Sequence, residues 1–212
     1  MKTYKIHFIR HGITRANEEG LYCGTTDVSL SVNGRLQLAE LLINARYPYV
    51  ETVFTSPLSR ATETADILFP DSDIIAVSDL REASFGEVEG MSIESLSNNE
   101  KFGRWLAGDE SFLPLGAEPS GDFRNRCIAG FKQVVDEMMR RKIYSSAVVT
   151  HGGVIGNILS VMAFPRASFF DWACAPGEGY TAIVDPTIYH RNSVIEVIAA
   201  IPEYYDSFEE EI

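Results

Sequence analysis

Residues 4–17, YKIHFIRHGITRAN, constrain the fold most, because an apolar strand-like run ends directly in a group of polar residues. Apolar and polar side chains alternate up to Phe8, which is the two-residue period of a β-strand, and the pattern stops at Arg10. In open α/β sheets, ligands bind at the carboxyl ends of the strands. We therefore expect a site at this strand end, with the candidate residues Arg10, His11, Gly12, Thr14 and Asn17.

Two further apolar runs lead into an arginine and a histidine, the residue types that also follow the first run. Residues 52–55 precede Arg60, which would lie in the first turn of a helix, and residues 147–150 lead directly into His151. Another apolar run, between these two in the sequence, precedes Glu82. Strand-like runs that alternate with helix-like segments predict a doubly wound, three-layer αβα fold of the α/β class, with a mostly parallel sheet and right-handed crossovers.

The helix-like segments repeat an apolar residue every third or fourth position. The first is expected from a cap at Ser31 to about Ala45, and its predicted buried face is Leu36, Ala39, Leu42 and Ile43. Other helices are predicted at 59–68, 123–142, 154–162 and 168–173. Closing strands are predicted at 180–184 and 193–198, joined by a turn at 189–192.

A chain of 212 residues suits one domain, which we predict to span residues 1–200. Between residues 83 and 120 the regular alternation gives way to a segment rich in glycine, proline and asparagine, which we interpret as a small inserted cap or lid. Its candidates for substrate contact are Lys101, Arg104, Trp105 and Phe112. The alternative is that the two aromatic side chains pack the cap onto the core. Residues 201–212 are expected to form an acidic, solvated tail that contains Glu203, Asp206, Glu209, Glu210 and Glu211.

The charge of the chain limits its partners. With 18 basic and 30 acidic residues the formal charge is -12, which argues against a nucleic-acid-binding surface and a polybasic membrane patch. Binding of an anionic small molecule is compatible with this net charge. Salt screens the distant acidic residues, whereas a local group of arginines still attracts an anion in contact with it. A homodimer is also compatible with the sequence.

The cysteines and the N-terminal segment favour a cytoplasmic protein. Cys23, Cys127 and Cys174 include no C-x-x-C pair, so neither a disulfide framework nor a zinc ribbon is indicated. The N-terminal residues lack the pattern of a signal peptide. The most apolar region, residues 147–164, is interrupted by histidine, glycine and asparagine, which argues against a membrane span.

The candidate residues match the needs of phosphoryl transfer from a phosphate ester. The guanidinium forks of Arg10 and Arg60 can bind phosphate oxygens bidentately, a geometry that lysine lacks. A neutral imidazole at about pH 7 is a competent nucleophile. A protonated His151 would add a donor, and the backbone from Gly152 onward would bring N–H groups close to an anion at a helix start.

Together these motifs resemble the histidine phosphatase superfamily, which has the phosphoglycerate-mutase-like fold. The resemblance rests on R-H-G at Arg10, SPLSRATETA around Arg60, LREASFGEVEG around Glu82 and VVTHGG at His151. It implies that His11 is the nucleophile and carries the phosphoryl group. It further implies that phosphate is held by Arg10, Arg60 and His151, and that Glu82 protonates the leaving oxygen and then activates water.

Other assignments are open at this point. Candidate hydrogen-bond partners of the phosphate are Thr14, Asn17, Thr25 and Gly152. Glu82 would instead be a salt-bridge partner of an arginine if it is not the acid, and Glu87 and Glu89 are rival acids by proximity whose positions do not match the motif. His7 and His190 are interpreted as structural or surface residues. We expect neither a metal nor a cofactor, since no H-E-x-x-H motif is present.

Two departures from the family pattern concern the substrate. Val88 stands where tryptophan is frequent, and residues 114–119 read PLGAEP where P-P-G-G-E-S is typical. The short cap resembles the broad-specificity or α-ribazole phosphatase branch more than the phosphoglycerate mutases.

The predicted function is metal-independent hydrolysis of a small phosphorylated metabolite, a phosphomonoester, through phospho-His11. Phosphoglycerate mutase-type transfer is the alternative, since it differs only in whether water or a bound hydroxyl receives the phosphoryl group. A phospho-ligand binding module without catalysis is the alternative of another class. It predicts the loss of a chemical residue, and none is missing.

Overall fold

The computed structural model describes residues 2–97, 99–106 and 109–205. Its strands are β1 (Tyr4–Arg10), β2 (Ala45–Arg46), β3 (Thr52–Thr55), β4 (Asp73–Ala76), β5 (Ser145–Thr150), β6 (Ala163–Phe164), β7 (Gly179–Val184), β8 (Ile195–Ile201) and β9 (Glu203–Tyr204). Its helices are α1 (Arg15–Glu18), α2 (Val32–Asn44), α3 (Ser59–Leu68), α4 (Ile93–Ser97), α5 (Glu100–Leu106), α6 (Ser120–Arg141), α7 (Gly152–Met162) and α8 (Pro186–Asn192). Short 3-10 turns lie at Ser78–Leu80, Gly86–Val88, Glu110–Phe112 and Phe169–Trp172. None of the helices in these ranges combines the length and the apolar character that crossing a membrane requires.

The larger sheet brings the predicted strand ends to one edge. In the described chain its strand order is β4-β3-β5-β1-β7-β8-β6, and the pairs from β4 to β1 are parallel. The register pairs Arg10 with Thr150 and Thr55 with Val149, so β1, β5 and β3 end side by side. β7 runs antiparallel to both β1 and β8. The sheet is therefore mostly parallel, and the predicted α/β class is confirmed.

Each central strand carries side chains to two apolar layers. Phe8 of β1 packs with residues of α6 and α7, whereas its neighbour Ile9 packs with residues of α2 and α3. The same change of face occurs between Val148 and Val149 of β5. Successive side chains of a strand point to opposite faces of the sheet. Helices thus cover both faces, and the three-layer αβα prediction is confirmed.

The predicted buried face of α2 is wrong. The four residues assigned to it are exposed, and they are Leu36, Ala39, Leu42 and Ile43. Leu38 is fully buried instead. The reason is the close approach at Gly34, where a Cβ atom would lie 2.0 Å from the carbonyl oxygen of Ile13. Because Gly34 and Leu38 lie one turn apart on the same face of the helix, this approach turns the predicted face toward solvent.

Two predictions in the last third of the chain are also wrong in detail. Residues 168–173 contain a short 3-10 turn rather than a full helix. Residues 189–192 belong to α8 and not to a turn. Asp185 caps α8 with its carboxylate, and proline occupies the first helical position, which is a combination typical of a helix start.

The chain continues as regular structure past residue 200. Ile201, the last residue of β8, is buried, and β9 pairs with β2. Glu203 is exposed within β9. The remaining acidic residues of the predicted tail, Asp206, Glu209, Glu210 and Glu211, lie outside the described residues.

The segment predicted as a cap contains α4 and α5, and its aromatic side chains form a small cluster together with Tyr22, which lies outside the segment. The ring of Phe102 lies 5.0 Å from that of Tyr22 and 5.4 Å from that of Trp105. Arg104 lies over the ring of Phe112 at 4.1 Å. Trp105 and Phe112 thus take part in packing, and substrate contact by Lys101 or Arg104 stays a prediction.

Candidate active site

The ends of β1 and β5 bring His11 and His151 together. The backbone N–H of His11 donates to the carbonyl of Thr150, the last residue of β5, at 2.8 Å. His151 follows directly, and the two imidazole centroids are 5.1 Å apart. Both histidines are buried. Parallel strand pairing therefore joins two motifs that are far apart in the sequence.

His11 is a neutral imidazole with a defined tautomer. Its Nδ1 lies 2.7 Å from the carbonyl oxygen of Gly12. Because a carbonyl oxygen only accepts, Nδ1 carries the proton and Nε2 keeps its lone pair. Burial, followed by the charges of Arg60 and Arg10, lowers the pKa of His11 from 6.5 to about 3. No residue in the described ranges forms a hydrogen bond with Nε2, which leaves this nitrogen available as a nucleophile.

Arg60 is a fully buried cation in the first turn of α3. Its Nη2 donates to the carbonyl of Gly24 at 2.7 Å, and its Nη1 donates to the carbonyl of Thr26 at 2.9 Å. Its Nε donates to Nδ1 of His151 at 3.2 Å. Part of the guanidinium fork is thus engaged by the protein. The carbonyls of the loop at 24–26 hold two of its nitrogen atoms in place.

His151 also has one defined tautomer. Nδ1 accepts from Arg60, so the ring proton lies on Nε2, which is 2.8 Å from the hydroxyl oxygen of Ser56. Burial, followed by the charges of His11 and Arg60, lowers the pKa of His151 well below its usual value. The expected protonated donor is therefore neutral here. It still donates from Nε2, and a bound phosphate dianion would favour its protonation.

Arg10 has a buried N–H group for which the described residues provide no acceptor. Its Nη1 donates to the carbonyl of Cys174 at 2.8 Å. Its Nε is buried, and within the described part of the chain it has no hydrogen-bond partner. A buried donor left unpaired costs about 1–3 kcal/mol, which an anion oxygen would recover. A Cβ at Gly152 would lie 3.6 Å from this Nε, so the glycine keeps the space beside it open.

Glu82 lies in the loop after β4 and is held by main-chain N–H groups. Its Oε1 accepts from Ala83 at 2.9 Å, and its Oε2 accepts from Gly153 at 3.1 Å. Burial raises the pKa of Glu82, while these two hydrogen bonds and the charges of Arg60 and Arg10 oppose the rise. Among the described residues Glu82 forms no ion pair, so the alternative role as a salt-bridge partner is not observed.

The other candidates lie near these residues but have their own partners. Thr14 and Asn17 cap α1 reciprocally: the amide of Asn17 donates to Thr14 Oγ1 at 3.2 Å, and the amide of Thr14 donates to Asn17 Oδ1 at 3.0 Å. The amide and the hydroxyl of Thr25 both donate to Glu89, at 3.0 and 3.1 Å. Gly152 begins α7. Phosphate contact by these four residues stays a prediction.

Sequence reasoning missed Ser56 and Thr64. The hydroxyl oxygen of Ser56 accepts a hydrogen bond from Nε2 of His151. Ser56 directly follows β3, and this position at a strand end is a usable signal in the sequence. Thr64 Oγ1 accepts from the amide of Gly12 at 2.9 Å and donates to the carbonyl of Arg60 at 2.7 Å. Only the tertiary structure shows this link, because Thr64 lies inside a helix without any distinguishing motif.

Glu89, a rival acid by its proximity in the sequence, binds main-chain N–H groups in the structure. Its Oε1 accepts from the amides of Thr25 and Phe85 at 3.0 and 3.1 Å, and its Oε2 accepts from the amide of Thr26 at 2.8 Å. The carboxylate therefore organises the same loop whose carbonyls hold Arg60.

The remaining histidines lie away from this group. His7 is buried in β1, with Nδ1 2.9 Å from Thr181 Oγ1 and Nε2 3.2 Å from Ser145 Oγ. His190 is exposed on α8. Their positions agree with the structural and surface roles expected for them.

Comparison with known proteins places this geometry in a family. The family model of the histidine phosphatase superfamily (branch 1) matches residues 6–198. The chain belongs to the histidine phosphatase superfamily. The broad-specificity phosphatase YOR283W of Saccharomyces cerevisiae is 30% identical over 167 residues, which cover 76% of this chain and 70% of the relative. The adenosylcobalamin/alpha-ribazole phosphatase of Salmonella typhimurium is 25% identical over 178 residues, which cover 82% of this chain and 87% of the relative.

Solved structures show the same fold. The alpha-ribazole phosphatase from Shigella flexneri matches with a TM-score of 0.73 at 21% identity, and the match covers 92% of this chain and 95% of that one. As a histidine phosphatase, the chain is an enzyme of phosphoryl transfer, and the phosphohistidine mechanism of the superfamily applies to it. The site described above supplies what that chemistry needs: a neutral imidazole, two guanidinium groups and a carboxyl group with a raised pKa.

Proposed function

We propose that this histidine phosphatase hydrolyses a small phosphorylated metabolite without a metal ion, through a covalent phospho-His11 intermediate. The observation that carries the proposal is the combination at the end of β1. In the described part of the chain, Nε2 of His11 is free, and the charge of the preceding residue, Arg10, acts on this imidazole. The buried Nε of Arg10 has no partner among the described residues. A bound phosphate ester would offer its phosphorus to the lone pair of Nε2 and an oxygen acceptor to the N–H of Arg10.

In the first step, Nε2 of His11 attacks phosphorus, and the ester P–O bond on the opposite side breaks. Glu82, whose protonated form is favoured by burial, gives its proton to the leaving alkoxide. Arg10 and Arg60 stabilise the negative charge on the equatorial oxygens. The products are an alcohol and phospho-His11.

In the second step, water attacks the phosphoryl group of phospho-His11. Glu82, now a carboxylate, accepts a proton from this water. The P–N bond breaks, its electron pair returns to Nε2, and inorganic phosphate leaves. The proton stays on Nδ1 throughout, donated in a hydrogen bond to the carbonyl oxygen of Gly12, so the free enzyme is regenerated in the same tautomer.

The substrate class follows from the relatives rather than from the pocket alone. One relative is named a broad-specificity phosphatase and the other an adenosylcobalamin/alpha-ribazole phosphatase. Both names support a phosphomonoester of a small molecule.

The test is phosphate release from a panel of phosphomonoesters, including 3-phosphoglycerate, in excess chelator. The wild-type protein should release phosphate, and His11→Ala should not. Labelled phosphate should be trapped on His11 after rapid acid-free denaturation. Trapping on any other residue would overturn the nucleophile assignment.

Two other outcomes of the same assay identify the alternatives. Conversion of 3-phosphoglycerate to its isomer after priming with a bisphosphate, without net phosphate release, would assign a mutase. Phosphate binding without any turnover would assign a binding module.

The cytoplasmic location and the homodimer belong to the same proposal. The cysteines Cys23, Cys127 and Cys174 are free thiols, the usual state in a reducing compartment. The apolar residues that α2 exposes, Leu36 and Ile43, are 58% and 73% accessible and offer a contact for a second copy. Sedimentation equilibrium of the wild-type protein and of Leu36→Glu measures whether a dimer forms there.

A further inference from the structure

We propose that Arg126 and Glu118 form a clamp that positions Glu82 for proton transfer. The clamp holds the main chain of residues 79–82, here called the acid arm. Arg126 is a positioning residue, because it acts through the main chain of the acid arm and not on the phosphate. The proposal rests on the role of Glu82 as acid and base given above.

A single guanidinium group binds three carbonyl oxygens of the acid arm. Nη1 of Arg126 donates to the carbonyls of Asp79 at 3.0 Å and Arg81 at 2.8 Å. Nη2 donates to the carbonyl of Glu82 at 3.3 Å. Glu82 belongs to neither a helix nor a strand, so no backbone ladder holds it. Arg126 provides the hydrogen bonds that regular structure would otherwise supply.

Glu118 keeps the guanidinium group in this orientation. Its Oε1 accepts from Nε of Arg126 at 2.8 Å and its Oε2 accepts from Nη2 at 2.6 Å, which is a bidentate pair. The two side chains are only 12% and 19% exposed, so the pair is screened less than a surface pair. The amide of Glu118 also donates to the carbonyl of Ser84 at 2.8 Å. The pair is neutral, and it therefore holds the acid arm without adding net positive charge beside Glu82.

Helix α6 is the rigid support of the clamp. Gly130 lies one turn after Arg126 on the same face, and a Cβ there would be 2.8 Å from Cβ of Asp79. The helix therefore packs directly against the start of the acid arm. From the other side, Oγ1 of Thr150 donates to the carbonyl of Leu80 at 2.6 Å. The acid arm is thus attached both to α6 and to the strand that leads into His151.

The test compares two esters in Arg126→Lys and Glu118→Gln. Lysine cannot bind three carbonyls and a carboxylate together. The main chain of the acid arm is then no longer held in place, and Glu82 moves from its position for proton transfer. For glycerol phosphate, whose alkoxide must be protonated, kcat/KM should fall about 10–100-fold in Arg126→Lys. For 4-nitrophenyl phosphate, whose leaving group needs no proton, it should fall less than about 3-fold. In Glu118→Gln, the ratio of kcat/KM for glycerol phosphate to kcat/KM for 4-nitrophenyl phosphate should also fall, by a smaller factor.

The matched control is Arg140→Lys. Arg140 forms a similar two-bond pair with Glu137 on the same helix, at 2.9 and 2.6 Å. That pair is 71% and 28% exposed and lies at the far end of α6 from Arg126. Both esters should be hydrolysed at wild-type rates by this variant.

Equal losses for both esters, or no loss for either, would overturn the clamp. If Arg126→Lys does not fold, Glu118→Gln decides by the same ratio. If the wild-type protein hydrolyses neither ester, the proposed function fails, and hydrogen exchange then decides the clamp separately. Amides of the acid arm should exchange faster in Glu118→Gln than in wild type, with Arg140→Lys unchanged, whereas unaltered protection would overturn it.

Discussion

A methyl group at residue 153 should displace the general acid while leaving the fold intact. Gly153 is the second residue of α7, and its amide donates to Glu82. A Cβ added there would lie 2.4 Å from Glu82 Oε1 and 3.1 Å from its Cδ and Oε2. An ordinary van der Waals contact begins at 3.4 Å, so the carboxylate must move by about 1 Å.

The expected loss follows from that distance. General acid catalysis contributes about 10²–10⁴-fold, and a misplacement of about 1 Å costs on the order of 10²-fold. For Gly153→Ala, kcat/KM on an alkyl phosphate should therefore fall about 100-fold. On 4-nitrophenyl phosphate the decrease should be small, because this leaving group needs little protonation. The assay is steady-state phosphate release with both esters.

The matched control is Gly121→Ala. Gly121 is also the second residue of a helix, α6, and a Cβ there would have no atom within 4 Å. Both substitutions remove glycine flexibility from a first helical turn, so both variants should fold with similar or slightly higher stability. Wild-type kinetics in Gly153→Ala, or an equal loss in Gly121→Ala, would refute the steric reasoning.

Three further predictions concern charge and protonation. Glu89→Gln replaces one acceptor oxygen that holds the loop around Arg60 with an amide donor, so calorimetry should show weaker binding of inorganic phosphate, by about 10-fold, and a lower melting temperature. Because burial raises the pKa of Glu82, kcat/KM on an alkyl phosphate should fall as pH rises through that pKa, and Glu82→Gln should lower the activity and remove this limb of the profile. Burial, followed by the charge of Lys5, lowers the pKa of His7 from 6.5 to about 4. The unfolded chain therefore binds a proton in this pH range that the folded chain does not, and stability should decrease as pH falls from 6.5 to about 4, by at most about 3 kcal/mol. Urea unfolding of His7→Gln should show a flatter dependence on pH over that window, and an unchanged slope would contradict the assignment.

Local patterns in the sequence predicted much of the fold because they depend on nearby residues. The strand at Thr52–Thr55 was predicted with the bounds that the structure shows, and the helix predicted from about Ser59 to Leu68 also has the observed bounds. The apolar face of α6 was also predicted, since residues such as Phe131 and Val135 recur at helical spacing and are buried. The face of α2 was not, because a close approach at Gly34 orients that helix, and periodicity carries no information about such an approach.

The order of residues along the chain specifies which chemical groups are available and at which strand ends they lie. It placed an arginine and a histidine after β1 and a second histidine after β5, because strand periodicity and its interruption are short-range properties. The tertiary structure alone decided their chemical state. Nδ1 of His11 carries the proton because its ring meets the carbonyl of Gly12, and His151 is neutral because it is buried and accepts from Arg60. Tautomers and pKa values depend on burial and on partners distant in the sequence, and those are set only when the sheet register and the helix packing bring the partners together.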